Sequence, residues 1–129
     1  TTREHIIRAA QESIAYQVND LLTAMKRDTG VALSSLSVDG GASRDSFLMQ
    51  FQADISNCTI RRPVIRETTA LGACYLAGLA TGVWSSRDEL KELWRCDTLY
   101  APSMADEKRS RLLNGWDKAV GRSLDWAEH

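Results

Sequence analysis

The chain has 129 residues, a formal net charge of −1, and apolar and charged fractions of 43% and 26%. That is enough for one domain with a real core, at an ordinary globular composition. The near-neutral balance gives no global argument for a nucleic-acid partner or an anionic membrane surface.

The elements follow in chain order. Thr1-x-x-Glu4 reads as a capping box. Beyond it Ile7, Ala10, Ile14, Val18, Leu21 and Met25 recur at steps of three and four, which predicts one buried face of a long helix. Gly30, after Asp28-Thr29, suits the left-handed position past its end. Leu33, Leu36 and Val38 predict a short strand ending at Asp39. After Gly40-Gly41, a second helix is expected to bury Phe47, Leu48, Phe51 and Ile55. Cys58 to Arg61 reads as a short strand stopped by Pro63, which cannot donate to a ladder. Thr68 or Thr69 then caps a third helix running to about Gly82. Its Ala and Gly content carries a local cost of about 1 kcal/mol per Gly, so close packing against a sheet is expected.

Ser86-x-x-Glu89 opens a short helix toward Trp94, and Cys96 to Pro102 reads as a loop. Ser103-x-x-Asp106 opens a last amphipathic helix with Leu112, Leu113, Trp116, Ala119, Val120, Leu124 and Ala127 inward. Trp94, Trp116 and Trp126 are expected in the core or at an interface. The result is an α/β class with few strands. A sheet of two or three short strands buries little by itself, so further strands or partner surfaces are expected. The opening on Thr1, already inside a helix-start signal, agrees with a piece of a longer polypeptide.

Cys58, Cys74 and Cys96 are odd in number and contain no CxxC pair, and His5 and His129 sit at opposite ends. Neither a zinc site nor a disulfide framework is expected, and a reducing, cytoplasmic setting fits. Cys58 and Cys74 read as small core hydrophobes. The apolar run Leu71 to Trp84 is too short for a bilayer and is interrupted by glycines, so no membrane span is expected.

One corner carries chemistry. In VDGGASRDSF (Val38–Phe47) a strand ends in two glycines and a helix begins just after. Two accounts compete. In one, the glycines let a ligand reach the backbone, with the helix N-terminus offering unpaired N–H groups to an anion; in the other, the corner is simply a tight turn. It matches neither GxGxxG nor a Walker sequence. Asp39, Asp45 and Asp54 are the nearest carboxylates in sequence. Asp39 can fix the turn, and Asp45 can serve as a helix-start residue favoured by the dipole. Arg61, Arg62 and Arg66 read as a solvated strand edge.

HIIRAAQESIAYQ (5–17), VDGGASRDSFLMQFQADI (38–55) and RETTALGACYLAGLATGVW (66–84), with the tail GWDKAVGRSLDWAEH (115–129), carry a resemblance. In order and spacing they resemble the C-terminal lobe of the FGGY carbohydrate kinases, and within them the glycerol kinase branch. That family lies in the actin/Hsp70/hexokinase-like (ribonuclease H-like) superfamily of nucleotide-binding domains. The resemblance implies that residues 1–129 are a fragment of the adenosine-binding C-terminal domain. It implies transfer of the γ-phosphoryl of ATP, with Mg2+, to glycerol, giving glycerol 3-phosphate. By the same likeness Gly40, Gly41, Ala42 and Asp45 form the nucleotide-binding corner. The catalytic base, the Mg2+ ligands and the glycerol site are expected outside this chain, which is expected to be inactive alone. A homo-oligomer is implied for the whole enzyme. Two departures from the family pattern stand out. Asp45 occupies a position usually held by Asn, where it can accept from the adenine amine but not donate. Gln11 replaces an apolar residue and is expected to face solvent or a partner. The alternatives are another FGGY sugar kinase and a non-catalytic actin-like nucleotide-binding module.

Overall fold

The computed structural model describes residues 1–65, 67–93 and 96–125. Its helices are α1 (Arg3–Thr29), α2 (Ser46–Ser56), α3 (Thr68–Thr81), α4 (Arg87–Leu93) and α5 (Asp106–Ser123). The strands are β1 (Ser35–Ser37), β2 (Thr59–Pro63) and β3 (Cys96–Tyr100), and a 3-10 turn covers Gly41–Arg44. The sheet runs β1-β2-β3. β2 pairs parallel with β1, Leu36 opposite Ile60, and antiparallel with β3, Ile60 opposite Tyr100.

Helix α2 is the hub. Leu48, Met49, Phe51, Gln52, Ala53, Asp54 and Ile55 are all buried along it. It packs between α1 and the sheet and touches α5. The core joins Leu48, Met49, Phe51, Ala53 and Ile55 of α2 to Ala15 and Tyr16 of α1, Ile60 of β2 and Tyr100 of β3, with Cys58 between α2 and β2. Tyr16 meets Phe51 edge-on at 5.6 Å and stacks on Trp116 at 5.2 Å, which locks α1, α2 and α5 together through one ring.

Several expectations change. The N-terminal cap is displaced by one residue: Thr2 is the N-cap, and its N–H donates to His5 Nδ1 at 3.0 Å. In α1 most of the expected stripe is exposed, with Ile14 and Leu21 45% and 61% exposed, while Val18 is half-buried. The inward side is Ala15 and Tyr16. Phe47 is half-exposed and stacks on Phe51 beneath the Arg8 guanidinium. The segment from Cys96 is a strand, because Cys96, Thr98 and Tyr100 alternate inward. Pro63 belongs to β2, at a register irregularity. α3 does not bury a face on the sheet: Leu76 is exposed, and the helix packs on the chain that follows through Gly78 and Tyr75 against Trp84. Its N-cap is Glu67, not a threonine. Cys74 is exposed, whereas Cys58 is buried.

In α5 the inward face stops at Trp116; Ala119, Val120 and, past the helix end, Leu124 are exposed. The α5 N-cap is Ala105, because Ser103 turns instead to Asp54. The expectations for Arg66, Trp94, Trp126 and Ala127 lie outside the described residues. No described helix is long and apolar enough to cross a membrane.

Candidate nucleotide corner

The corner is built where β1 hands over to α2. β1 is extended by Val38 N–H donating to Arg61 carbonyl at 3.1 Å. Asp39 follows, and its Oδ2 accepts from the Thr68 hydroxyl, tying the corner to the start of α3. Gly40 then takes φ 76°, ψ −175°, a conformation confined almost wholly to glycine. The 3-10 turn closes with Ser43 donating to the Gly40 carbonyl through N–H at 3.3 Å and Oγ at 2.7 Å. Asp45 N–H donates to the Ala42 carbonyl at 3.1 Å.

The two glycines have different reasons. Gly40 is required by its own backbone. Gly41 has no positive φ, and a Cβ built there meets no protein atom within 4 Å. Neither strain nor packing inside this chain explains a glycine at 41.

Asp45 is the N-cap of α2. Its Oδ1 accepts from Phe47 N–H at 3.0 Å and Leu48 N–H at 3.1 Å, and its Oδ2 accepts from Gln11 Nε2. The expectation that the α2 N-terminus offers unpaired N–H groups to a phosphate is therefore corrected, because the Asp45 carboxylate already fills that place. Gln11 is corrected too: it is half-buried and faces Asp45, not solvent.

Gly40, Gly41, Ala42 and Asp45 are thus brought together within one turn. Asp54 is not: at the far end of α2, it accepts from Ser103 N–H at 2.6 Å and Met104 N–H at 3.1 Å. Behind the turn lies a cleft of about 160 Å³ lined by residues such as Ile14, Val38, Ala42 and Leu48. It is smaller than the ~300–1,000 Å³ of usual small-molecule pockets.

Sequence reasoning missed the props beneath the turn. Arg62, expected at a solvated edge, has a side chain 11% exposed. Its Nη1 donates to the Ser43 carbonyl at 3.3 Å. Tyr100 donates its hydroxyl to Ser46 Oγ at 3.1 Å. The signal for Arg62 was present: in a strand with period two it shares the face of Ile60, which is fully buried.

The family model for the C-terminal domain of the FGGY family of carbohydrate kinases matches residues 1–81. The chain belongs to this family. It is 58% identical over 126 residues to the glycerol kinase of Caldanaerobacter subterraneus subsp. tengcongensis, covering 98% of this chain and 25% of that protein. The crystal structure of Plasmodium falciparum glycerol kinase with ADP superposes with a TM-score of 0.86 at 40% identity, over 98% of this chain and 26% of that one. Xylulose kinase from Lactobacillus acidophilus, at 24% identity, a TM-score of 0.73, and coverage of 95% of this chain and 26% of that one, shares the fold. The chain spans about a quarter of the length of the curated relatives it matches. Its α/β fold is accordingly that of the FGGY kinases and the actin/Hsp70/hexokinase-like nucleotide-binding superfamily.

Proposed function

We propose that the chain is part of the C-terminal, adenosine-binding domain of a glycerol kinase, which transfers the γ-phosphoryl of ATP to glycerol. One observation carries this reading. The corner lies in a chain that matches, over 98% of its length, a glycerol kinase whose crystal structure holds ADP. The open space at Gly41 is compatible with it.

In this reading the backbone at Gly41 and Ala42 lies against the adenosine and α-phosphate side of the nucleotide, and Gly40 sets the direction of approach. Asp45 lies at the base. Its Oδ2, already holding Gln11, retains a lone pair that can accept from the adenine amine. ATP supplies the phosphoryl group, and this chain's residues orient its adenosine end. Phosphoryl transfer rests on positioning and on neutralising charge at the γ-phosphoryl. Among the described residues no three His, Cys, Asp or Glu side chains converge on a metal position. The Mg2+ ligands, the general base and the glycerol site are assigned to the remainder of the enzyme. The same remainder is the proposed cover for the outward stripe of Ile7, Ile14, Leu21 and Met25 on α1.

The test is a coupled ADP-release assay of the complete kinase polypeptide with glycerol, xylulose and gluconate. Glycerol-dependent turnover, well above that with the two sugars, is expected. Turnover favouring xylulose or gluconate, or none with glycerol, rejects the reading.

A further inference from the structure

The corner contains adjacent glycines, the most permissive residues for the backbone. A nucleotide bound against such a turn must order it on binding unless something else has already done so. The sheet supplies two contacts. Arg62 Nη1 reaches up from β2 to the Ser43 carbonyl at 3.3 Å, inside the turn. Tyr100 reaches up from β3 to Ser46 Oγ at 3.1 Å, at the first residue of α2. Asp45 lies between these two anchored points.

Arg62 is itself held from below. Its Nη2 donates to Thr98 Oγ1 at 3.0 Å and to Asp97 at 3.2 Å, and its guanidinium lies over the Tyr100 ring, 5.4 Å from the centroid. A rigid planar fork can serve acceptors on two sides while lying over an aromatic ring, whereas an ammonium cannot. From this arrangement we infer that Arg62 is a positioning residue for the nucleotide. By holding the Ser43 carbonyl it fixes the Gly41–Asp45 turn in its binding shape before ATP arrives, with the Tyr100 hydroxyl as a weaker second prop. The inference rests on the nucleotide reading of this corner. Arg62 touches no reacting atom, so its effect falls on nucleotide affinity and not on the chemical step.

The experiment uses the complete kinase polypeptide carrying Arg62→Lys or Tyr100→Phe. KM for ATP, KM for glycerol, kcat and the calorimetric Kd for ADP are measured beside melting curves. For Arg62→Lys, KM for ATP and Kd for ADP are expected to rise about tenfold, the size of one lost hydrogen bond to a charged group, with KM for glycerol unchanged. Tyr100→Phe is expected to raise the ATP KM by about two- to threefold, a neutral hydrogen bond being weaker. An Arg62→Lys enzyme that folds and keeps its ATP KM overturns the inference. So does one in which the ATP and glycerol KM values rise together, which is the mark of general loosening. Should Arg62→Lys fail to fold, an unchanged ATP KM in Tyr100→Phe overturns it. If the unsubstituted enzyme binds ADP but does not phosphorylate glycerol, the kinase reading alone fails, and Kd for ADP still decides on Arg62. If it binds no ADP, both fall.

Discussion

Gln11 of α1 donates through Nε2 to Oδ2 of Asp45, the N-cap of α2, across 34 positions of sequence. Both residues depart from the pattern that the sequence resembles, and here they satisfy each other. An apolar side chain at 11 would leave the half-buried Oδ2 without this donor. The other carboxylate oxygen caps α2 through Phe47 and Leu48 N–H. Asp45→Ala is therefore expected to cost about 0.5–2 kcal/mol of stability, and Asp45→Asn much less because Asn caps equally well. Gln11→Ala is expected to cost about 1 kcal/mol. Urea denaturation of the single and double alanine variants measures the coupling, expected at about 0.5–3 kcal/mol. Strictly additive losses would show that the contact contributes nothing.

Gly40 and Gly41 are expected to respond in opposite ways. Gly40→Ala forces a side chain onto φ 76°, at a cost of about 1–3 kcal/mol. Gly41→Ala meets open space and a permitted backbone, so stability is expected to hold or to rise by about 0.4–1 kcal/mol. Its effect belongs on nucleotide binding, where the new methyl stands in the ligand's path. Denaturation and ADP titration of both variants separate these outcomes. A Gly41→Ala protein that binds ADP as tightly as the original removes the case for close approach at that glycine.

Local signals made much of this legible. Gly30 ends α1 with φ 70°, Gly82 ends α3 with φ 79°, and the glycine pair marked the turn. What failed was whatever depends on a partner surface. The 3.6-residue stripe on α1 was correctly periodic, but periodicity does not say which neighbour covers it, and in this chain the residues buried on α1 are Ala15 and Tyr16, beside the stripe. β3 went unread because Asp97 and Thr98 dilute its hydrophobicity, although alternate residues do point inward. The Gln11–Asp45 and Arg62–Ser43 contacts join segments whose approach is set only by packing around α2, so no local pattern announces them.

Gly78 shows packing overriding propensity. A Cβ there would lie 2.0 Å from Trp84 Cζ3 and 2.1 Å from its Cε3, a clash with the edge of the ring. Alanine is the better helix former by about 1 kcal/mol, which alone predicts stabilisation of α3. Overpacking of about 1–3 kcal/mol opposes it, and displacing Trp84 also loosens its edge contact with Tyr75 at 5.2 Å. Gly78→Ala is expected to destabilise or to be at best neutral, with a shift in tryptophan fluorescence. In a Trp84→Leu background the same substitution is expected to become stabilising. A stabilising Gly78→Ala in the unaltered protein would mean that the Trp84 contact is loose.

Alkaline pH gives the last test. Burial pushes the Cys58 thiol above its usual 9.0. Burial first, and then the Glu12 carboxylate, push the Tyr16 phenol above its usual 10.0. Each group is neutral when protonated and ionises more readily in the unfolded chain than in the folded one. Above pH 9, and then above pH 10, the folded state retains protons that the unfolded state has released. Stability from these groups is therefore complete below those values and falls as pH rises through the folded pKa values, by at most about 1.4 kcal/mol per pH unit per group. Denaturation midpoints measured from neutral to strongly alkaline buffer should fall more steeply in the unaltered protein than in Tyr16→Phe, which has no phenol to ionise. Parallel curves for the two proteins would show that Tyr16 titrates no differently on folding.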